Sequence, residues 1–266
     1  MNGKLFTLGY TLFQKEAGID IEAMFRVLQA LKVTHLVDVR SVPYSRNYPQ
    51  CNADNLKGAG SFYSIPYLHV PELGAKADPS QDVFSRASEI FFEDIFPISK
   101  SNRPENTALF ADERIVDFQK FRTSELFSDG IGRIKAAYEK DFTLAIMCSE
   151  KRPVDCHRYF LVSKRIEQVL GDWVQVEHVV KLSNDGPSTI SNEEVTKQLT
   201  DIVMNREEIR KLDIRNPSLL EPAKIDNYFG DTLEEKLTDF CDRYWNLMHG
   251  WKLEPNIVMR DSDCYP

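Results

Sequence analysis

Two thiols, an imidazole, two carboxylates and two arginines fall within eleven residues in Cys148-Ser149-Glu150-Lys151-Arg152-Pro153-Val154-Asp155-Cys156-His157-Arg158. A thiol beside histidine and arginine near a helix start should have a lowered pKa, because positive potential favours the thiolate. Cys156 is therefore a candidate nucleophile with His157 as its partner. Glu150 is a candidate general acid or base, since closure of a site around it would raise its pKa toward neutrality; the plainer alternative is a loop carboxylate paired with a neighbouring cation. Cys148 ends an apolar run, where it serves either as a small hydrophobe or as part of a ligand pocket.

The same residues can be weighed as metal ligands. Cys148, Cys156 and His157 suit zinc, but their spacing matches no compact knuckle, no CxxC is present, and a fourth ligand such as Cys51 would have to come from elsewhere. Zinc is therefore the alternative reading of these residues, and no cofactor is expected. A phosphatase loop is excluded, because Arg152 lies four residues and Arg158 ten residues beyond Cys148, where that loop needs six.

A second set follows another apolar stretch: Asp38-Val39-Arg40-Ser41-Val42-Pro43-Tyr44-Ser45-Arg46. Arg40, Arg46 and Arg158 could each offer a bidentate fork to phosphate or carboxylate, and a helix start adds unpaired N–H groups. Asp38 either takes part in acid/base chemistry or forms a structural ion pair with Arg40. Gly9-Tyr10-Thr11 closes the first apolar run, and Glu72-Leu73-Gly74-Ala75 is a segment whose glycine permits close backbone approach.

These residues need elements that bring them together. Lys4–Tyr10, His35–Arg40, Phe62–Val70, Phe142–Cys148 and Trp173–Val180 read as strands. Ile21, Met24, Phe25, Leu28 and Leu31 mark one face of a helix that Asp20 can cap. Helices are also expected over 80–96, 112–127, 131–140 and 159–170, with a polar loop over 99–106. Strands alternating with helices imply an α/β fold with a mainly parallel sheet and helices on both faces, a Rossmann-like or flavodoxin-like layering. In such sheets ligands sit beyond the carboxyl ends of the strands, where the named residues fall.

Residues 1–180 carry 22 Lys and Arg against 24 Asp and Glu, and residues 181–266 carry 11 against 17, so most of the net charge of −8 lies in the last third. The Gly-Pro pair in Leu182–Ser188 suggests a division into an α/β domain over 1–182 and an acidic, mostly helical extension over 183–266, with helices over 191–211 and 232–249. Phe118, Phe121 and Phe127, like Phe91, Phe92 and Phe96, have helical spacing and are expected in a core. Tyr228, Phe229, Tyr244, Trp245 and Trp251 are expected to pack against the main domain or a second copy of the chain. Acidity counts against bulk nucleic-acid binding. No apolar run is long enough for a membrane span, and five sparse cysteines fit a reducing, cytoplasmic setting.

The motifs together resemble the domain-of-unknown-function family DUF488 over about residues 4–180: Gly9-Tyr10-Thr11, Asp38-Val39-Arg40 with Pro43, Ser45 and Arg46, Leu73-Gly74, Cys148-x-Glu150 and Cys156-His157-Arg158. Ser149 and Ala75 depart from its commoner alanine and glycine. The resemblance implies a compact α/β domain and a site, with no defined reaction. The expectation is an enzyme of hydrolysis or group transfer acting on a small anionic, nucleotide-like or phosphorylated ligand. Gly9, Tyr10, Arg40, Ser45, Arg46, Cys148 and Arg158 would bind it, and Cys156, His157, Glu150 and Asp38 would act on it. The alternatives are a non-catalytic binding or regulatory module, or an accessory to nucleic-acid processing.

Overall fold

The structure, a computed structural model, describes residues 3–78, 80–93, 95–99, 108–183, 186–217 and 222–250. The chain divides into two compact units: Met1–Lys76 with Phe121–Asn205, and Ala77–Lys120 with Arg206–Pro266.

The first unit is an α/β domain built on a six-stranded sheet. Its strands are β1 (Gly3–Gly9), β2 (His35–Asp38), β3 (Tyr67–His69), β4 (Leu144–Cys148), β5 (Val174–Ser183) and β6 (Gly186–Ser191), in the spatial order β6-β5-β1-β4-β2-β3. All neighbours are parallel except β5 and β6. Every residue of β4 is buried, as its unbroken apolar run requires. Helix α1 (Ile21–Ala30) begins where expected: Ala23 N donates to the Asp20 carboxylate at 2.9 Å, satisfying an N–H that the first turn leaves open. Met24, Phe25 and Leu28 of α1 and Leu56 of α2 (Ala53–Tyr63) share one cluster with Phe6, Leu8, Leu36, Ala145 and Met147. These strand residues alternate with Leu5, Val37, Leu144 and Ile146, which are buried on the opposite face. Further helices of this unit are α3 (Glu125–Tyr138), α4 (Lys164–Leu170) and α5 (Asn192–Met204).

Several expectations are corrected. The strand foreseen over 62–70 is only β3, because residues 53–63 coil into α2 although Gly58 and Gly60 weaken the helical signal there. The division placed at residue 182 falls in an antiparallel hairpin: β5 continues past Val180 and β6 pairs back along it, with Gly186 at φ +117°. The Gly-Pro signal marks this reversal, and the first unit runs on to Asn205.

In the second unit, the helix foreseen over 80–96 is replaced by a short strand, Phe84–Arg86, and one turn of helix, Ala87–Ile90. The strand pairs antiparallel with Arg114–Val116, inside the helix foreseen over 112–127. Pairing between distant segments overrode local spacing. Most of the loop foreseen over 99–106 lies outside the described residues. Helix α6 (Leu233–His249) is capped by Thr232, with Glu235 reaching back to the Thr232 N–H. Its Asn246 accepts from Phe118 N at 2.8 Å and donates to Val116 O at 2.7 Å. Tyr228 and Tyr244 pack on Phe91, so the late aromatics belong to a core shared with residues 77–120. Phe229 and Phe92 are exposed, and Trp251 lies outside the described residues. Among the described residues no helix is long and apolar enough to cross a membrane.

His178 of β5 is fully buried between Thr7 Oγ1 and Asn192 Oδ1, each 2.7 Å from a ring nitrogen. Burial lowers its pKa from 6.5 to about 4, with Asn192 partly opposing. The unfolded chain therefore binds a proton between pH 6.5 and 4 that the fold refuses. This contribution to stability is complete above pH 6.5 and is lost as pH falls toward 4, by about 3 kcal/mol in all. Urea denaturation across that range should show this decline in the wild type, and a much shallower one in His178→Gln.

Candidate functional site

The site is built at the carboxyl ends of β1, β4 and β2, whose register sets Gly9 beside Cys148 and Met147 beside Asp38. Side-chain alternation then separates the expected residues into two groups. Asp38 shares the α1–α2 face with Met147, whereas Cys148 points to the other face.

On the first face Asp38, fully buried, forms a bidentate pair with Arg40: Nε to Oδ1 at 2.9 Å and Nη2 to Oδ2 at 2.6 Å. Tyr67 donates its hydroxyl to Asp38 Oδ2 at 2.7 Å, and Arg40 Nη2 also donates to Cys51 O at 2.7 Å. Burial alone would lower the Arg40 pKa, but the Asp38 carboxylate reverses this and raises it. The Arg40 guanidinium lies 5.3 Å from the centroid of the Tyr10 ring, and its Nη1 is buried without a hydrogen-bond partner. Ser45 caps a turn, its Oγ accepting from Tyr48 N at 3.1 Å. The structural ion pair weighed for Asp38 and Arg40 is thus present, and Asp38 has no solvent-facing oxygen for acid/base work.

On the second face, Glu150 Oε2 accepts from the Cys148 thiol at 3.2 Å and from the Cys156 thiol at 3.1 Å. Cys148 Sγ lies 3.4 Å from His157 Nδ1, and His157 Nε2 is 3.0 Å from Val39 O. A carbonyl can only accept, so Nε2 carries a proton, and Nδ1 is the ring nitrogen that faces Cys148. Cys148, Cys156 and His157 are buried, while Glu150 is exposed as a residue. Burial of the carboxylate among these groups would raise the Glu150 pKa, yet the two thiol donors outweigh it and hold it below the usual value.

The expected lowering at Cys156 is not found. The residue is buried, and desolvation, reinforced by Cys148, pushes the thiol well above its ordinary value. No regular helix start supports it: Pro153–Asp155 is a 3-10 turn, Arg158–Ser163 a π-helical turn, and α4 begins only at Lys164.

The arginines do not form an open clamp. Arg158 is fully buried and donates to Glu150 O and to Lys151 O at 3.1 Å, which holds the loop that carries the carboxylate. Arg46 is exposed on its loop. Gly9 is required by the same loop: a Cβ there would lie 1.7 Å from Glu150 O. Thr11 adds two bonds to Ser149 O, from N at 3.3 Å and from Oγ1 at 2.6 Å. Gly74 permits close approach to protein, not ligand, since a Cβ there would meet Ser41 Cα at 2.7 Å. Cys51, the fourth metal ligand considered, sits in the α1–α2 core, where burial raises its thiol to about 12. Sequence reasoning missed Tyr67 and Val39. Tyr67 stood in an aromatic strand without any polar signal, and a backbone carbonyl has none.

Fold and site together define a mainly parallel α/β protein with a thiol–imidazole–carboxylate centre at its strand ends. The chain belongs to the family described as Domain of unknown function DUF488, which matches residues 20–164. Among curated proteins and among solved structures nothing matches it.

Removing one partner of the Asp38–Arg40 pair strands a buried charge. Asp38→Ala should cost about 3–5 kcal/mol of unfolding free energy. The double variant Asp38→Leu/Arg40→Leu should recover most of that loss, a difference read by chemical denaturation of both.

Proposed function

We propose that the chain is an enzyme of hydrolysis or group transfer, acting on a small anionic, phosphorylated or nucleotide-like substrate at the carboxyl ends of the sheet. One observation carries this reading: a single carboxylate, that of Glu150, bridges two buried thiols beside an imidazole. Packing gains nothing from such a group of polar side chains, whereas a proton-transfer centre needs it. Glu150 is the proton carrier, being the member of the group in contact with solvent. A Rossmann-like or flavodoxin-like layering would set the substrate at this edge of the sheet.

The test uses p-nitrophenyl phosphate and p-nitrophenyl acetate as probes at neutral pH, with inorganic phosphate as competitor. Turnover of at least one probe is expected, inhibited by phosphate. Glu150→Gln should lower kcat by about 10²–10⁴ while thermal stability stays near that of the wild type. If neither probe is turned over and phosphate leaves the melting temperature unmoved, the reading is wrong.

A further inference from the structure

Three side chains of this cluster also meet the closeness that a shared metal ion requires. The ligating atoms of Cys148, Cys156 and His157 all lie within 4.8 Å of one another. Glu150 Oε2 stands 3.2 Å and 3.1 Å from the two sulfurs, and His157 Nδ1 stands 3.4 Å from Cys148 Sγ. A tetrahedral zinc ion with bonds of about 2.3 Å to sulfur and about 2.0–2.1 Å to nitrogen and oxygen separates its ligands by about 3.3–3.8 Å. The three closest separations fall in or just below that range, so the two sulfurs and the imidazole nitrogen, with the carboxylate against both sulfurs, are near enough to share one ion.

We propose that Cys148, Cys156 and His157, with Glu150 as fourth donor, form a site for a soft divalent metal ion, zinc foremost.

A second observation is independent of these distances. His157 Nε2 donates to Val39 O, which fixes the ring and leaves Nδ1 as the ligating nitrogen. Metal-bound histidines are commonly braced in this way by a backbone carbonyl. The donor set also discriminates: two thiolates and an imidazole select zinc over magnesium or calcium, which require an oxygen shell. Binding releases the two thiol protons, and the Arg158 guanidinium on Glu150 O offsets part of the resulting negative charge. The spacing hid the site because β4 supplies Cys148 while a separate turn supplies Cys156 and His157. Glu150, and not Cys51, fills the fourth position.

The donors are unequal. Three are buried and Glu150 reaches solvent, so the carboxylate is the ligand that can yield to water or substrate. The thiols then hold the ion and do not attack. The inference rests on the same cluster as the proposed activity but not on turnover. Metal content and catalysis are read separately, so either can fail alone.

The experiment takes the full chain, purified without a metal-binding tag under reducing conditions. Elemental analysis should find about one zinc per chain. After removal by chelator, Co²⁺ added to the wild type should give the visible bands of a tetrahedral site and a thiolate-to-metal band in the near ultraviolet. In competition with a chromophoric chelator, Cys148→Ser, Cys156→Ser and His157→Ala should each weaken zinc binding by more than about 100-fold, and Glu150→Gln by about tenfold. Cys51→Ser should leave both stoichiometry and the thiolate band unchanged. The wild-type cobalt spectrum keeps the test decisive should a cysteine variant fail to fold. Absence of zinc together with absence of a thiolate-to-cobalt band would overturn the proposal. So would a thiolate band that survives in both Cys148→Ser and Cys156→Ser, or a Cys148–Cys156 disulfide forming under mild oxidation in a chain that takes up neither metal.

Discussion

Parallel registration of β1, β4 and β2 is the constraint on which the rest depends. It ends three strands at one level, with Gly9 beside Cys148 and Met147 beside Asp38. Strand pleating then sends Asp38 and Cys148 to opposite faces of one sheet edge. The backbone between them is shared: residue 39 leaves β2 carrying the carbonyl that orients His157. A register slip of one residue would exchange the faces and abolish both groups at once.

The two faces solve different physical problems. Around Asp38, charge is neutralised internally by Arg40 and hydrogen-bonded by Tyr67, at a desolvation cost that good geometry only offsets. Around Cys148, ionisable groups gather, and among the described residues the Glu150 carboxylate accepts from thiols and a hydroxyl. The first arrangement fixes the loop that follows β2, since Arg40 also ties down the Cys51 carbonyl. The second is held by backbone: Arg158 on two successive carbonyls, and Thr11 with Gly9 against the turn at 149–150.

Elements with a strong local signal were legible in the amino-acid order. The α1 stripe and its Asp20 cap, the apolar run of β4, and α6 behind Thr232 lie where periodicity places them. Elements defined by distant partners were not. Phe84–Arg86 is a strand because of residues 114–116, and β6 exists because β5 lies beside it. The site was legible as a set of residues but not as an arrangement. Cys148, Glu150, Cys156 and His157 do meet, yet which sulfur faces the imidazole depends on strand parity and on a π-helical turn. Arg158 was read as a ligand fork because its chemistry allows it; its burial shows that the fork is spent on carbonyls.

The family span, residues 20–164, begins after β1 and stops before β5. Yet β1 is the strand that lies between β4 and β5, and its Gly9 leaves the room into which the Glu150 backbone fits. The stretch that marks descent is therefore not the stretch that folds. Excised alone, residues 20–164 would expose the long edge of a parallel sheet and leave the carboxylate loop without its seat.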